Sequence, residues 1–132
     1  MVIKMKSVGI SWILLIVILV FTVLNSVYVT KEVGAIKDLT EKISDSPLVL
    51  DERKEENKKI SAALAKNWDD LFPYLTFVCS YSELNRADEA MTELLMTLRT
   101  ETYEDTVTAR GKLLDALRRI LELEGFSIRA IF

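Results

Sequence analysis

The stretch Ser7–Thr30, SVGISWILLIVILVFTVLNSVYVT, carries no charged residue; Lys4 and Lys6 precede it, and Lys31 and Glu32 follow it. At about 1.5 Å per residue a helix over this run reaches roughly 36 Å, enough to cross a hydrocarbon core of about 30 Å with some tilt. We read residues 1–30 as a membrane-spanning anchor and the remainder as a domain held at the bilayer. A cleaved leader would show a shorter apolar region closed by a small-x-small site. Here Asn25, Ser26, Val27 and Tyr28 close the run, and the one candidate site, Val33-Gly34-Ala35, lies beyond Lys31 and Glu32. The single cysteine, Cys79, is too distant to carry a lipid anchor after the run. A short positive amino terminus is retained inside the cell. The expected topology is therefore single-pass in the cell membrane, with a cytoplasmic N-terminus and an extracytoplasmic C-terminal domain.

Composition narrows what that domain does. The chain has 17 Lys and Arg against 20 Asp and Glu, a net charge of −3, and two of the lysines lie before the apolar run. An acidic domain has no cationic stripe with which to displace counterions from phosphates, so no nucleic-acid partner is expected. With no His and one Cys, the usual zinc sites and an internal disulfide are out of reach, and no metal or cofactor is expected. General acid–base work would fall to Asp69-Asp70 or Glu104-Asp105, yet neighbours on a helix point about 100° apart and do not converge on one atom. Gly9, Gly34, Gly111 and Gly125 are scattered, which leaves no phosphate-binding loop. No catalytic residue is assigned and no enzyme is expected.

After the anchor, apolar residues recur at steps of three and four, the signature of helices. Val33, Ile36, Leu39 or Thr40, and Ile43 continue that spacing into a helical stalk, residues 31–46, with Gly34 as a flexible joint because glycine weakens a helix by about 1 kcal/mol. The stalk is expected to end before Pro47. Ser46 as N-cap and Pro47 at the first position start a second helix, whose early turns, Asp51 to Lys59, are nearly all charged and read as a solvated face. Ile60, Leu64, Trp68, Leu71, Leu75 and Val78 then form a stripe that passes through Pro73, which predicts a kink, not a break. Ser80 and Glu83 stand in capping-box spacing for a third helix with the stripe Leu84, Ala87, Met91, Leu94, Leu98. Beyond a turn at Thr100–Asp105, a fourth segment carries Val107, Arg110, Leu114, Leu117 and Leu121, flanked by Leu113 and Ile120, and is expected to end at Gly125. The Arg110 stem is expected to lie along the core edge with its head in water near Asp105 or Glu101. The apolar tail Phe126–Phe132 is expected to pack back on its own domain. The predicted fold is all-α: an anchor helix, a stalk, and a small antiparallel three-helix bundle over residues 47–132 with a Pro-kinked first helix.

The segment Asn67–Phe126 resembles the domain-of-unknown-function family 4363, small bacterial proteins with an N-terminal membrane helix and a short helical domain. Trp68, Pro73, the aromatic-apolar Tyr74–Val78, the acidic helix start at Glu83 and two Leu-rich helices carry the resemblance, over about half the chain. It implies no activity; it implies a single-pass protein of Gram-positive bacteria whose relatives are encoded beside a multi-pass membrane protein. From it follows a first functional expectation: a non-enzymatic accessory protein that docks on a membrane-protein partner or a second copy through Trp68, Pro73, Tyr74, Phe77 and Tyr81. Tyr74, Phe77 and Tyr81 lie off the buried stripe at steps of three and four, as an exposed aromatic row would. The alternative is a membrane-tethered small-molecule- or lipid-sensing module with a cavity near Pro73 lined by Trp68, Phe72 and Leu75. Within the anchor, Gly9, Ser11, Trp12 and Thr22 are the groups that distinguish a partner-facing side from a lipid-facing one.

Overall fold

The computed structural model describes the backbone of residues 2–131 and the side chains of residues 7–123. The described chain is all helix: α1 (Val2–Lys42), the short α2 (Pro47–Glu52), α3 (Lys54–Val78), α4 (Tyr81–Arg99) and α5 (Tyr103–Ile131). One of these, α1, is long and apolar enough to span a membrane, and its most apolar window is entirely uncovered by the rest of the chain.

The bundle has four long helices rather than three, because the expected stalk is part of it. Ser26, Val29, Val33, Ile36, Thr40 and Ile43 are buried, a stripe with steps of three and four on one face of α1. That face packs against α5 and α3, while α4 packs against α3 and α5, so α1 and α4 lie on one diagonal. Neighbouring helices all run antiparallel. Two contacts fix the register of α1: the Tyr28 and Tyr74 rings meet edge to face at 4.8 Å near the anchor, and Arg110 reaches Ile43 at the far end. Each fully buried Val or Ile on α1 adds about 1.5–3 kcal/mol of hydrophobic stabilisation, which a bundle of this size needs. Gly34 is no joint: α1 runs through it unbroken, held by the same packing on both sides.

The stripes expected on α3 and α4 are the buried faces. Leu64, Trp68, Leu71 and Leu75 on α3, and Leu84, Ala87, Met91, Leu94 and Leu98 on α4, are core residues, with Ile60 and Val78 half-buried at the ends. The helix α3 continues through Pro73. The second helix, by contrast, is divided at Arg53, whose backbone leaves the helical region. No apolar residue lies between Leu50 and Ile60, so the chain turns there to bury Leu50, and the Asn57 side-chain Nδ2 donates 2.8 Å to the Leu50 carbonyl in place of the lost helical bond. The first turn of α4 is capped as its sequence predicts, with the Ser80 hydroxyl accepting from the Glu83 amide at 3.4 Å.

The buried face of α5 is rotated from expectation. Thr106, Ala109, Leu113, Ala116, Leu117 and Ile120 are buried, and Val107, Arg110, Leu114 and Leu121 are half-buried. This helix lies between α1 and α4, and the two alanines let its backbone come close to both. It also continues through Gly125, the expected stop, to Ile131. The side chains of the tail Phe126–Phe132, and with them the expected packing of that tail, lie outside the described residues.

Candidate functional site

Of the five residues singled out for partner contact, Trp68 belongs to the core. It is 4% exposed, its ring is tilted against Phe72 at 5.9 Å, and its indole N–H donates 2.9 Å to Asp88 Oδ1, joining α3 to α4. The other four lie at the end of the bundle nearest the anchor. Tyr74 is half-buried against Tyr28, Pro73 is exposed, and Phe77 and Tyr81 flank the α3–α4 turn at 89% and 84% exposed. The turn itself carries Cys79, half-buried, whose amide donates 2.9 Å to the Leu75 carbonyl.

This edge is set apart by charge. Between Asp70 and Glu83 the chain reads LFPYLTFVCSYS, with no Asp, Glu, Lys or Arg. Glu83 marks its border on α4; one carboxylate oxygen, Oε2, is buried without a hydrogen-bond partner, in the first helical turn where the N-terminal dipole favours an anion.

A second feature opens at the opposite end. A groove of about 570 Å³ runs between the start of α3 and the end of α4, with Leu95 and Met96 among its walls and Lys54, Lys58 and Arg99 at its margin. Lys54 Nζ lies 3.4 Å from Glu101 Oε2 across the groove mouth, and this hydrogen bond and charge raise the Lys54 pKa above its ordinary value. Partial burial, with the Glu101 carboxylate adding to it, raises the Tyr103 hydroxyl likewise. Of the residues expected to line a cavity near Pro73, Trp68 and Leu75 are buried in the core and Phe72 leans on Trp68.

Arg110 takes a role that its sequence position does not disclose. Its Nε donates 2.7 Å to the Ile43 carbonyl and Nη2 donates 3.4 Å to the Glu41 carbonyl, so the guanidinium closes the C-terminus of α1 instead of meeting Asp105 or Glu101. Both the orphan carbonyls and the negative end of the helix dipole favour a cation there. The place of Tyr28 in the apolar run likewise hides its contact with Tyr74 of α3.

The acidic pairs Asp69-Asp70 and Glu104-Asp105 are exposed, and among the described residues no three of His, Cys, Asp and Glu gather as a metal-ligand set. In the anchor, the Ser11 hydroxyl donates 2.9 Å to the Ser7 carbonyl and Thr22 donates 2.8 Å to Ile18. Both hydroxyls are thus satisfied within the helix and compatible with lipid. No family model matches the chain, and no curated protein and no solved structure matches it.

Proposed function

We propose that the chain is a non-enzymatic, single-pass accessory protein whose membrane helix grips a larger membrane protein or a second copy, and whose bundle is oriented by that grip. Its N-terminus is cytoplasmic and its bundle extracytoplasmic, as the flanking lysines suggest. The observation that carries this reading is the division of α1. From Val8 to Leu24 its large apolar side chains, Val23 apart, are exposed, and from Ser26 one face of the same helix is buried in the bundle. A rotation or tilt imposed on the exposed half is passed to the bundle without a flexible link. Gly9 and Trp12 offer a small-next-to-large surface of the kind on which membrane helices pack, and the resemblance to family 4363 points to the same class of role. The bend that Pro73 introduces by removing the bond to the Asp69 carbonyl would aim the last turn of α3, and with it Phe77, at the membrane surface.

Purification of the intact chain from its native membrane in mild detergent tests the proposal. A dimer of the 15.1 kDa chain, or a stoichiometric complex with one multi-pass protein, is expected. Replacement of Val8–Leu24 by polyleucine of equal length should then dissociate it without unfolding the bundle. A monomer that carries no second protein contradicts the proposal.

A further inference from the structure

We infer that the anchor-side edge of the bundle is immersed in the bilayer where headgroups meet acyl chains, with lipid covering Phe77 and Tyr81; the inference rests on α1 spanning the membrane. The depth of the edge follows from register. An uncharged run of roughly 36 Å exceeds a core of about 30 Å by only a few ångströms at each end. Tyr28, two residues before the end of that run, therefore lies at the boundary between acyl chains and headgroups.

The ring contact at 4.8 Å puts Tyr74 at the same depth. Because α3 runs back toward the anchor, Phe77 lies about one turn deeper, roughly 4–5 Å, and Tyr81 follows across the turn. On the other side of α1, the Arg110–Ile43 bond sets the level of α5. Both helices advance equally per residue, so Leu123 falls level with Thr30, and it is 51% exposed.

Three helices thus present apolar or aromatic groups within about one helical turn in depth, and the α3–α4 turn among them is free of charge from Leu71 to Ser82. Charges resume at the half-buried Glu83, at exposed Asp69, Asp70 and Arg86, and beside Leu123 at exposed Glu122. Aromatic rings with one wet end are favoured at this boundary. In water, Phe77 and Tyr81 would be among the most exposed large side chains of the bundle; where headgroups meet acyl chains they are buried in lipid. The bundle is thereby fixed in height and tilt as well as by its helix, and a protein partner is left the anchor within the bilayer and the end of the bundle remote from it.

The test uses the full chain with Cys79→Ala, reconstituted alone in phosphatidylcholine–phosphatidylglycerol vesicles. A fluorophore is attached singly to Phe77→Cys, Tyr81→Cys, Leu48→Cys or Ile16→Cys. Leu48 is 79% exposed at the far end of the bundle. Probes at 77 and 81 should be quenched by a nitroxide at a shallow lipid position and be several-fold less accessible to aqueous iodide than the probe at 48, while the probe at 16 responds to a deep nitroxide. Iodide access at 77 and 81 equal to that at 48, with 16 still lipid-quenched, overturns the immersion and leaves the anchor standing. Protection at 77 and 81 from both iodide and lipid nitroxides means that a second copy covers the edge and also overturns it. Loss of lipid quenching at 16 removes the anchor itself, and the immersion with it.

Discussion

Glu101 is the described non-glycine residue with a left-handed backbone, φ 58°. It ends α4 in a Schellman arrangement, with the Thr102 amide donating to Thr97 at 3.0 Å and the Glu101 amide to Leu98 at 3.4 Å. Glycine is the residue this position favours, and a side chain there costs on the order of 1 kcal/mol. Glu101→Gly should therefore raise stability by about 1 kcal/mol, with the exposed Lys54 pair offsetting little of the gain, in a urea titration at neutral pH. The sign with pH follows from the raised Lys54 pKa. That pairing contributes fully below the ordinary lysine value and is lost as pH rises through the folded one, so the gain from the substitution grows in alkali. Arg110→Met keeps the half-buried stem and removes the guanidinium from the Ile43 and Glu41 carbonyls. Loss of charge-assisted bonds to a helix end predicts about 1–3 kcal/mol of destabilisation, read as a fall in the urea midpoint.

The helices differ in how much of their packing could be read in advance. On α3 and α4 the three-and-four spacing named the buried residues themselves, and Ser80 named the cap. On α1 the same spacing was visible from Val33 to Ile43 but not its meaning, because periodicity shows that one face is apolar and not what covers it. An exposed stalk would show far less reason for Ile36 and Ile43 to be completely covered. On α5 the centre of the stripe moved by about a residue because two neighbours share the helix, and Ala109 and Ala116 carry too little surface to announce themselves. The Arg110 bond joins positions 67 residues apart, a distance no local pattern spans. The aromatic row was half legible: Phe77 and Tyr81 are exposed, whereas Tyr74 is taken up by Tyr28. Gly34 follows from the same continuity. A Cβ at Gly34 meets nothing within 4 Å, so Gly34→Ala should stabilise by about 0.5–1 kcal/mol through helix propensity. A true hinge would instead show little change in stability and altered bundle mobility by relaxation measurements.

Taken whole, the molecule is an anchor and a bundle that share one helix. The core of the bundle is incomplete without residues 26–43, and among the described residues the large apolar side chains from Val8 to Phe21 on the same helix stay exposed. An uncharged aromatic edge beside the apolar half of α1 and a groove at the remote end distinguish the two ends of the bundle, and on the proposed reading the first faces lipid and the second water. Everything proposed about orientation depends on α1 being a structural helix of the bundle and not a tether. Urea unfolding of the full chain in detergent micelles, comparing Ile36→Ala with Leu48→Ala, tests this most directly. Ile36 is 1% exposed and Leu48 is 79% exposed. Loss of about 2–5 kcal/mol at Ile36, with Leu48→Ala within about 0.5 kcal/mol of the parent, is the predicted result. Equal and negligible effects at both positions would contradict it.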